Sequence, residues 1–314
     1  MKKTAVLALG GNAILKVGEK GTVEEQLANT RESMKGIVGL IKEGYNLAIT
    51  HGNGPQVGNF LIQQQAGISR NINPLPLSFL NAATEGTMGY MIEQSLDNRL
   101  QKENMDNKVM TVITMVEVDK NDQRFNQPSK PVGPFYTKEE AERMKETQGW
   151  HIVEDSGRGY RQVVPSPLPL NIPKANVIKG LVESGTVVIA CGGGGIPYYL
   201  NEAGEIVGID AVIDKDHASA LLARVINADL FIILTGVEKV AINYNTPNQI
   251  DLDHLTVDQA KQYFEAGEFP AGSMGPKIRA AIDFIENGGS EVIITSVERI
   301  VEALKGQTGT KITL

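Results

Sequence analysis

Cysteine is almost absent from this sequence of 314 residues, and long apolar runs are missing altogether. Because Cys191 is the only cysteine, the chain cannot form a disulfide within itself, which fits a reducing compartment. A membrane-spanning helix would need about 20 consecutive apolar residues, and no run approaches that length. The apolar stretch at residues 5–9 ends at Gly10, which makes it shorter than the ~7–15 residues of a signal-peptide core. We therefore expect a cytoplasmic protein.

An excess of positive charge is missing as well, since the formal net charge is −7 at pH 7. An acidic balance disfavours non-specific binding to nucleic acids or anionic membranes, while leaving room for a local basic pocket. The composition, with 41% apolar and 21% charged residues, is that of an ordinary globular protein. At about 150 residues per domain, the length allows two domains or one large α/β unit.

The motifs of several enzyme classes are also lacking. No Gly-Lys dipeptide occurs, which excludes a P-loop, and the spacing of Gly52, Gly54 and Gly58 misses the dinucleotide-binding pattern by one residue. The four histidines show no metal-ligand spacing, and there is no G-x-S-x-G elbow. Zinc-dependent and hydrolytic chemistry are therefore poorly supported. Cys191 ends an apolar run, so we expect a buried residue rather than a nucleophile.

Short β-rich runs alternate with helical patterns, which predicts an α/β fold with a mostly parallel, right-handed wound sheet. Most strand candidates are apolar nearly throughout, as in strands covered on both faces. The predicted strands are residues 4–9, 47–50, 109–114, 187–190, 230–234 and 291–295. The predicted helices are residues 23–43, 85–102, 215–225, 277–286 and 297–304. Ligands of such sheets bind at the carboxyl ends of the strands.

Residues 118–169 interrupt this alternation with a dense series of prolines between Pro128 and Pro169. Prolines at this density resist regular helix, although an acidic helical pattern covers residues 138–145. We interpret the segment as a small subdomain that stands off the sheet and could act as a lid. A long surface loop is the alternative, but loops of this length without a function are uncommon.

Three glycine clusters each follow a predicted strand. The first is Gly10 and Gly11 with Asn12, the second is Gly52 and Gly54 around Asn53, and the third is residues 192–195. Glycine allows close approach and positive φ, so that consecutive backbone N–H groups can form a nest for an anion. A helix that starts near Pro55 would strengthen the second nest. Tight turns would explain any one cluster, whereas three at equivalent strand ends predict convergence on one anionic ligand.

Three lysines have unusual settings. Lys130 lies among the prolines of the insertion, Lys215 lies between Asp214 and Asp216, and Lys277 lies at a predicted helix start. A cation at a helix N-terminus opposes the helix dipole unless an anion binds there, and lysine suits phosphate as a compact point charge. A solvated surface lysine is the alternative for each. With many backbone donors, a few lysines and no evident general base, the sequence favours phosphoryl transfer to an acid that is already ionised.

Nine short motifs follow one another along the chain. They are Leu-Gly-Gly-Asn-Ala (9–13), Thr-His-Gly-Asn-Gly-Pro-Gln-Val-Gly (50–58), Pro-Ser-Lys-Pro-Val-Gly-Pro-Phe (128–135), Glu-Asp-Ser-Gly-Arg-Gly (154–159), Val-Val-Pro-Ser-Pro (163–167), Gly-Gly-Gly-Gly-Ile-Pro (192–197), Ala-Val-Ile-Asp-Lys-Asp (211–216), Ile-Leu-Thr-Gly-Val (233–237) and Gly-Ser-Met-Gly-Pro-Lys (272–277). As a set they resemble the carbamate kinases of the amino acid kinase family, and the resemblance runs from residue 5 nearly to the C-terminus.

This resemblance implies the amino acid kinase fold: a single three-layer α/β/α sandwich with a mostly parallel central sheet and a small protruding subdomain, acting as a homodimer. It implies the reversible reaction ATP + carbamate ⇌ ADP + carbamoyl phosphate with Mg²⁺, in which ATP formation would serve arginine catabolism. Residues 1–205 would bind carbamoyl phosphate, with residues 118–169 inserted in that half, and residues 206–314 would bind the nucleotide. No nucleic acid or membrane partner is expected.

The resemblance also implies roles for individual residues. Carbamoyl phosphate would lie on Gly10, Gly11, Asn12, Gly52, Asn53 and Gly54. The nucleotide would lie near Thr235, Gly236, Val237, Tyr244, Ser273 and Met274. Lys130 would replace a lysine that relatives carry at the position of Asn12, while Lys215 and Lys277 would contact the transferred phosphoryl group and the nucleotide phosphates. Asn12 and the three lysines are thus the catalytic candidates; no metal ligand is assigned, with Asp214 and Asp216 as candidates.

Two other functions stay open. The protein could be another amino acid kinase that acts on a different carboxylate, or a non-catalytic sensor of a nucleotide or phosphate. Asn12 disfavours the first, because relatives that act on amino acids carry lysine there, and the complete set of lysines disfavours the second.

Overall fold

Seventeen β-strands and nine α-helices form the part of the chain that the computed structural model describes, residues 2–16, 18–155, 159–270 and 272–314. Of Asn12 only the backbone is described. The strands are β1 (Thr4–Leu9), β2 (Asn46–His51), β3 (Val109–Thr111), β4 (Met115–Val118), β5 (Lys130–Tyr136), β6 (Ile152–Glu154), β7 (Tyr160–Val164), β8 (Pro169–Asn171), β9 (Val187–Ile189), β10 (Ile196–Leu200), β11 (Ile206–Gly208), β12 (Leu230–Leu234), β13 (Val240–Ile242), β14 (Ile250–Leu252), β15 (His254–Thr256), β16 (Val292–Thr295) and β17 (Thr310–Thr313). The helices are α1 (Val23–Lys42), α2 (Gly54–Ile68), α3 (Leu77–Lys102), α4 (Lys138–Gln148), α5 (Ala175–Glu183), α6 (Lys215–Val225), α7 (Val257–Glu265), α8 (Met274–Glu286) and α9 (Ile300–Leu304).

Eight strands form the central sheet in the order β15–β17–β16–β12–β1–β2–β9–β3, and the neighbouring pairs are parallel except for β16 with β17. β1 lies within this sheet and is buried along its whole length. Val6 and Ala8 belong to a core that includes residues of α6 and α8, whereas Leu7 and Leu9 belong to a core with residues of α1 and α3. Because successive side chains of a strand point to opposite faces, the sheet lies between two helical layers. The predicted α/β/α sandwich is confirmed.

Most predicted elements of the sandwich lie at or near the predicted residues, and β1, β12 and α6 have the predicted bounds. β3 ends at Thr111 rather than at residue 114, because the Thr114 N–H donates to Glu85 Oε2 (2.8 Å) instead of extending the strand. α3 begins at Leu77 rather than at residue 85. A 3₁₀ turn occupies the start of the last predicted helix, which shortens it to α9.

Local sequence fixes several helix starts. Thr22 and Glu25 form a capping box at the start of α1, and Thr137 and Glu140 form another at α4. Each box satisfies two backbone N–H groups that a helix leaves unpaired. Among the described helices, none has both the length and the apolar content that crossing a membrane requires.

The insertion has regular structure, so the interpretation as a long surface loop is wrong. β5, β7 and β6 form an antiparallel sheet, and α4 covers the acidic helix predicted at residues 138–145. Pro131 and Pro134 lie in β5, an edge strand of this sheet, where a missing N–H is tolerated. The ends of the insertion pair with each other as β4 and β8 in a second sheet of order β11–β10–β4–β8. Part of the predicted 154–159 motif, residues 156–158, lies outside the described residues.

Candidate active site

The three glycine clusters lie at the carboxyl ends of three strands of the central sheet. They follow β1, β2 and β9, which are neighbouring parallel strands, and Leu9 of β1 is in register with His51 of β2. The first cluster enters a 3₁₀ turn at Gly11–Ala13, the second enters α2, and the third forms a 3₁₀ turn at Gly192–Gly194. The start of α2 beside Pro55 agrees with the prediction. Its first N–H groups have no partners within the helix, which favours an anion there.

Three lysines from distant parts of the chain meet at the start of α6. Lys130 Nζ of β5 donates to Asp214 Oδ2 at 2.5 Å. Lys215 Nζ donates to Asp216 Oδ1 at 2.5 Å, and Lys277 Nζ of α8 donates to Asp216 Oδ2 at 3.3 Å. We call these five residues the lysine–aspartate cluster. When all five are ionised they carry one positive charge in excess, which suits an anionic ligand.

The lysine–aspartate cluster adjoins the second glycine cluster. A Cβ built on Gly52 would lie 3.7 Å from Lys215 Cδ, so the Lys215 side chain runs along that backbone. Lys215 and Asp216 are only 7% and 3% exposed. Asp214 caps α6 by accepting from the Asp216 N–H at 2.9 Å. The glycine backbone and the cations are therefore held together by the start of one helix.

Burial and charge pairing act against each other in this cluster. Burial lowers the pKa of the Lys215 ammonium, and the Asp216 carboxylate offsets part of that effect. Burial alone would raise the pKa of Asp214 and of Asp216. The ammonium of Lys130 beside Asp214, and that of Lys215 beside Asp216, nevertheless hold the pKa of each carboxyl below its ordinary value. Both carboxylates are therefore charge partners of lysines rather than proton acceptors.

A cleft of about 190 Å³ lies next to the first glycine cluster. Thr235 and Gly236, which follow β12, line it together with Gly10, so the structure brings predicted residues of both halves together. Lys16 and Glu298 also line this cleft and were not predicted. Lys16 follows the first glycine cluster by a few residues, and that proximity is the signal that could have pointed to it.

The remaining predicted nucleotide residues lie in three places. Ser273 and Met274 lie at the start of α8, where Lys277 Nζ donates to the Ser273 carbonyl at 3.2 Å. Val237 directly follows the cleft residues in the chain. Tyr244 is 54% exposed in the turn after β13, and no hydrogen bond or ion pair of the described residues links it to the lysine–aspartate cluster.

Polar residues of the glycine clusters differ in what they face. Asn53 Nδ2 donates to Asn81 Oδ1 at 3.1 Å and to Thr84 Oγ1 at 2.9 Å, so this buried amide nitrogen supports the loop instead of facing a ligand. The predicted contact of Asn12 depends on a side chain outside the described part of the chain. Cys191 is buried, as predicted, and burial raises the pKa of its thiol well above the ordinary value, which disfavours a nucleophilic thiolate.

A directly held metal ion does not fit these carboxylates. Residues 2–16, 18–155, 159–270 and 272–314 contain no group of three or more His, Cys, Asp and Glu side chains that could hold one. The four oxygens of Asp214 and Asp216 already accept from the three lysines and from the Asp216 N–H. Mg²⁺ usually keeps several waters and binds substrate phosphates, so it fits here as a companion of a nucleotide.

The chain is similar to proteins of known activity along its whole length. A sequence profile of the Amino acid kinase family matches residues 3–296. Carbamate kinase of Pyrococcus furiosus is 50% identical over 313 residues, which cover 99% of this chain and 99% of that protein. The structure of carbamate kinase from Giardia lamblia bound to citric acid has a TM-score of 0.94 at 42% identity and covers 99% of this chain and 98% of that chain. The Giardia lamblia enzyme bound to AMP-PNP gives a TM-score of 0.90 at 43% identity, with the same coverage.

Proposed function

Since this chain belongs to the amino acid kinase family, we propose that it catalyses the reversible reaction ATP + carbamate ⇌ ADP + carbamoyl phosphate. The observation that carries the proposal is the meeting of Lys130, Lys215 and Lys277 around two aspartates beside the glycine clusters. Backbone donors suit an acyl phosphate, and compact cations suit a phosphoryl group in transfer. The similarity to carbamate kinases over the full length supports carbamate as the acceptor.

The proposed chemistry needs no general base. The attacking oxygen of carbamate is already ionised near neutral pH, so no side chain has to remove a proton from it. Catalysis then consists of aligning the attacking and leaving oxygens and stabilising the charge of the phosphoryl group between them. We assign Lys215 to the transferred phosphoryl group because its side chain runs from Asp216 along Gly52. We assign Lys277 to the nucleotide phosphates because it lies at the start of α8.

The two substrates are assigned to the two halves of the chain, residues 1–205 for the acid and residues 206–314 for the nucleotide. The proposed acid site consists of Gly10, Gly11, Asn12, Gly52, Gly54 and Lys130. Asn53 belongs to it through its backbone, because its side-chain nitrogen is engaged by α3. The proposed nucleotide site consists of Lys215, Thr235, Gly236, Val237, Tyr244, Ser273, Met274 and Lys277. The cleft beside Thr235 and the contact of Lys277 with Ser273 support the second assignment.

Mg²⁺ enters the proposal with the nucleotide. Because the carboxylate oxygens of Asp214 and Asp216 are engaged by donors of the chain, we assign the ion to the nucleotide phosphates and to water. When bound, it would neutralise part of the phosphate charge.

We further propose a cytoplasmic homodimer that forms ATP from carbamoyl phosphate in arginine catabolism. Phe79 and Tyr90 are 62% and 64% exposed on α3 and are spaced to share one face of that helix, which a second copy of the chain could cover. Sedimentation velocity at assay concentrations should give the mass of two chains. A monomer that is fully active would contradict this part of the proposal.

The test of the activity is ATP formation from ADP and carbamoyl phosphate in a coupled assay, with Lys277→Ala prepared in parallel to exclude contaminating kinases. Aspartyl phosphate and acetylglutamyl phosphate serve as competing donors. We expect ATP from carbamoyl phosphate alone. ATP from another acyl phosphate would favour a different amino acid kinase, and tight nucleotide binding without turnover would favour a sensor.

A further inference from the structure

Two buried polar side chains behind the glycine clusters have no role in the reaction as proposed. His51, at the end of β2, is 0% exposed, and Glu85, in α3, is 2% exposed. Among the described residues, His51 Nε2 and Glu85 Oε1 have no hydrogen-bond partner. Buried polar atoms are nearly always paired, so two such atoms on neighbouring side chains require a physical reason.

Gly192 of the third glycine cluster lies between these side chains. A Cβ at this position would lie 2.4 Å from His51 Nε2 and 3.1 Å from Glu85 Cγ, so only glycine fits there. His51 Nδ1 lies 3.0 Å from the Gly52 carbonyl oxygen. Because a carbonyl oxygen can only accept, Nδ1 carries the proton of the neutral ring and Nε2 is an acceptor.

Glu85 connects the third glycine cluster to the rest of the site. Its Oε2 accepts from the Thr114 N–H at 2.8 Å, and Thr114 Oγ1 accepts in turn from the N–H of Cys191, the residue directly before the third cluster, at 3.1 Å. One turn earlier in α3, Asn81 Oδ1 accepts from Asn53 of the second cluster. One face of α3 therefore holds two of the three glycine clusters.

We propose that Glu85 is a positioning residue that keeps its proton and shares it with His51 beside Gly192, directly or through one water. This neutral pair holds the third glycine cluster in place against Asn53 of the second cluster, which belongs to the proposed acid site. The inference rests on the proposed function and deepens it. The reason is complementarity: an ionised Glu85 would offer only acceptor atoms to the acceptor Nε2, whereas a protonated Glu85 offers an O–H donor. No proton passes to or from the substrates in this arrangement.

The surroundings favour a neutral pair. Burial raises the pKa of Glu85 to about 8 and lowers the pKa of His51 to about 4. The other titratable groups that act on the pair are Lys174 and Cys191 near Glu85, and Lys215 near His51. Burial keeps the Cys191 thiol protonated, because its pKa lies well above the ordinary value. Of Glu85, His51 and Cys191, Glu85 is therefore the one that should lose a proton as the pH rises through about 8.

The kinetic test compares Glu85→Gln and Glu85→Ala with Glu93→Gln as the matched control. Glu93 lies further along α3 and accepts from the Thr111 N–H at 2.8 Å, a similar contact away from the glycine clusters. In the wild type and in Glu93→Gln, the KM for carbamoyl phosphate should rise as the pH passes 8. Glu85→Gln keeps an uncharged donor and should remove that rise. Glu85→Ala should raise this KM about tenfold at pH 7, with a much smaller change in the KM for ADP.

The melting temperature without substrates provides a readout that does not depend on the proposed reaction. Because the folded protein holds the Glu85 proton up to about pH 8, against 4.5 for an ordinary glutamate, the wild type should lose stability as the pH rises across this interval. The melting temperature of Glu85→Gln minus that of the wild type should therefore increase with pH. The corresponding difference between Glu93→Gln and the wild type should not.

Two results would overturn the inference. One is a difference in melting temperature between Glu85→Gln and the wild type that does not change with pH, and the other is a rise in the KM for carbamoyl phosphate above pH 8 that persists in Glu85→Gln. If the wild type failed to use carbamoyl phosphate while the stability difference followed the pH, the neutral pair would stand and the proposed function alone would fail.

Discussion

Asp216 pairs with both Lys215 and Lys277. In the proposed mechanism Lys215 contacts the transferred phosphoryl group and Lys277 contacts the nucleotide phosphates. Each carboxylate oxygen of Asp216 accepts from one of them, so removing Lys215 or Lys277 leaves the carboxylate with one cationic partner. The fold should survive such a change, because one ion pair at this buried residue stays in place.

We expect Lys215→Ala and Lys277→Ala each to lower kcat about 100-fold, as loss of one positioned charge donor does in other enzymes. The coupled ATP-formation assay measures the effect. Lys261→Ala is the control, because Lys261 pairs with Glu286 between α7 and α8, and a surface pair of this kind contributes about 0–1 kcal/mol. Turnover near the control value in either variant would remove that lysine from the catalytic residues.

The sequence identifies these lysines but not their partners. Each lysine has an unusual local setting in the sequence. Lys130 lies among prolines, Lys215 lies between two acids, and Lys277 lies at a predicted helix start. The contact of Lys130 with Asp214 joins residues 84 positions apart, so it depends on how the insertion folds back over the sheet. The buried network of Glu85 and His51 is equally non-local, and no spacing in the chain indicates it.

At the scale of elements, β5 of the subdomain packs closely against α2. A Cβ at Gly58 of α2 would lie 1.9 Å from Gly133 Cα and 2.0 Å from Gly133 N, so the two backbones touch. Arg161 of β7 fixes the same point by donating to the Gly133 carbonyl at 2.9 and 3.2 Å. Since α2 begins at the second glycine cluster and β5 carries Lys130, this contact sets the position of that lysine relative to the glycines.

We expect Gly58→Ala to lower the free energy of unfolding by about 1–3 kcal/mol, because the new methyl group forces the two backbones apart. The KM for carbamoyl phosphate should rise in parallel. Gly180→Ala on α5 is the matched control: nothing lies within 4 Å of the added Cβ, and replacing an exposed helical glycine should stabilise the protein by about 0.5–1 kcal/mol. Denaturant unfolding measures the stability of both variants. Equal free energies of unfolding would contradict the close contact between Gly58 and Gly133.

The elements that the sequence predicts best are those whose burial is continuous. β1 and β12 are apolar runs buried on both faces, and α6 starts at a side-chain cap on Asp214. The small sheet of β11, β10, β4 and β8 was not predicted, because β10 directly follows the third glycine cluster and pairs with β4, which lies far from it in the sequence. The early start of α3 at Leu77 was missed for a similar reason, since Asp210, distant in the chain, accepts from the Ser78 N–H there.

At the scale of the whole molecule, the subdomain completes the site from outside the sandwich. Lys130 belongs to the sheet of the insertion, whereas its partner Asp214 belongs to a helix of the sandwich. The ion pair therefore spans the two parts, and an anionic substrate that bound between them would compete with Asp214 for the ammonium. Because the proposed function assigns Lys130 to the acid, the competing anion would be the acid rather than the nucleotide.

We therefore expect Lys130→Ala to raise the KM for carbamoyl phosphate about tenfold or more while the Kd for ADP, measured by calorimetry, stays within about twofold of the wild type. Most residues of the proposed nucleotide site lie at the start of α8 and after β12, whereas Lys130 pairs with Asp214 at the start of α6. Lys138→Ala, at the exposed start of α4 in the same subdomain, is the control and should change neither value. Equal loss of both affinities in Lys130→Ala would mean that the subdomain supports the fold as a whole, and the assignment of Lys130 to the acid would then be wrong.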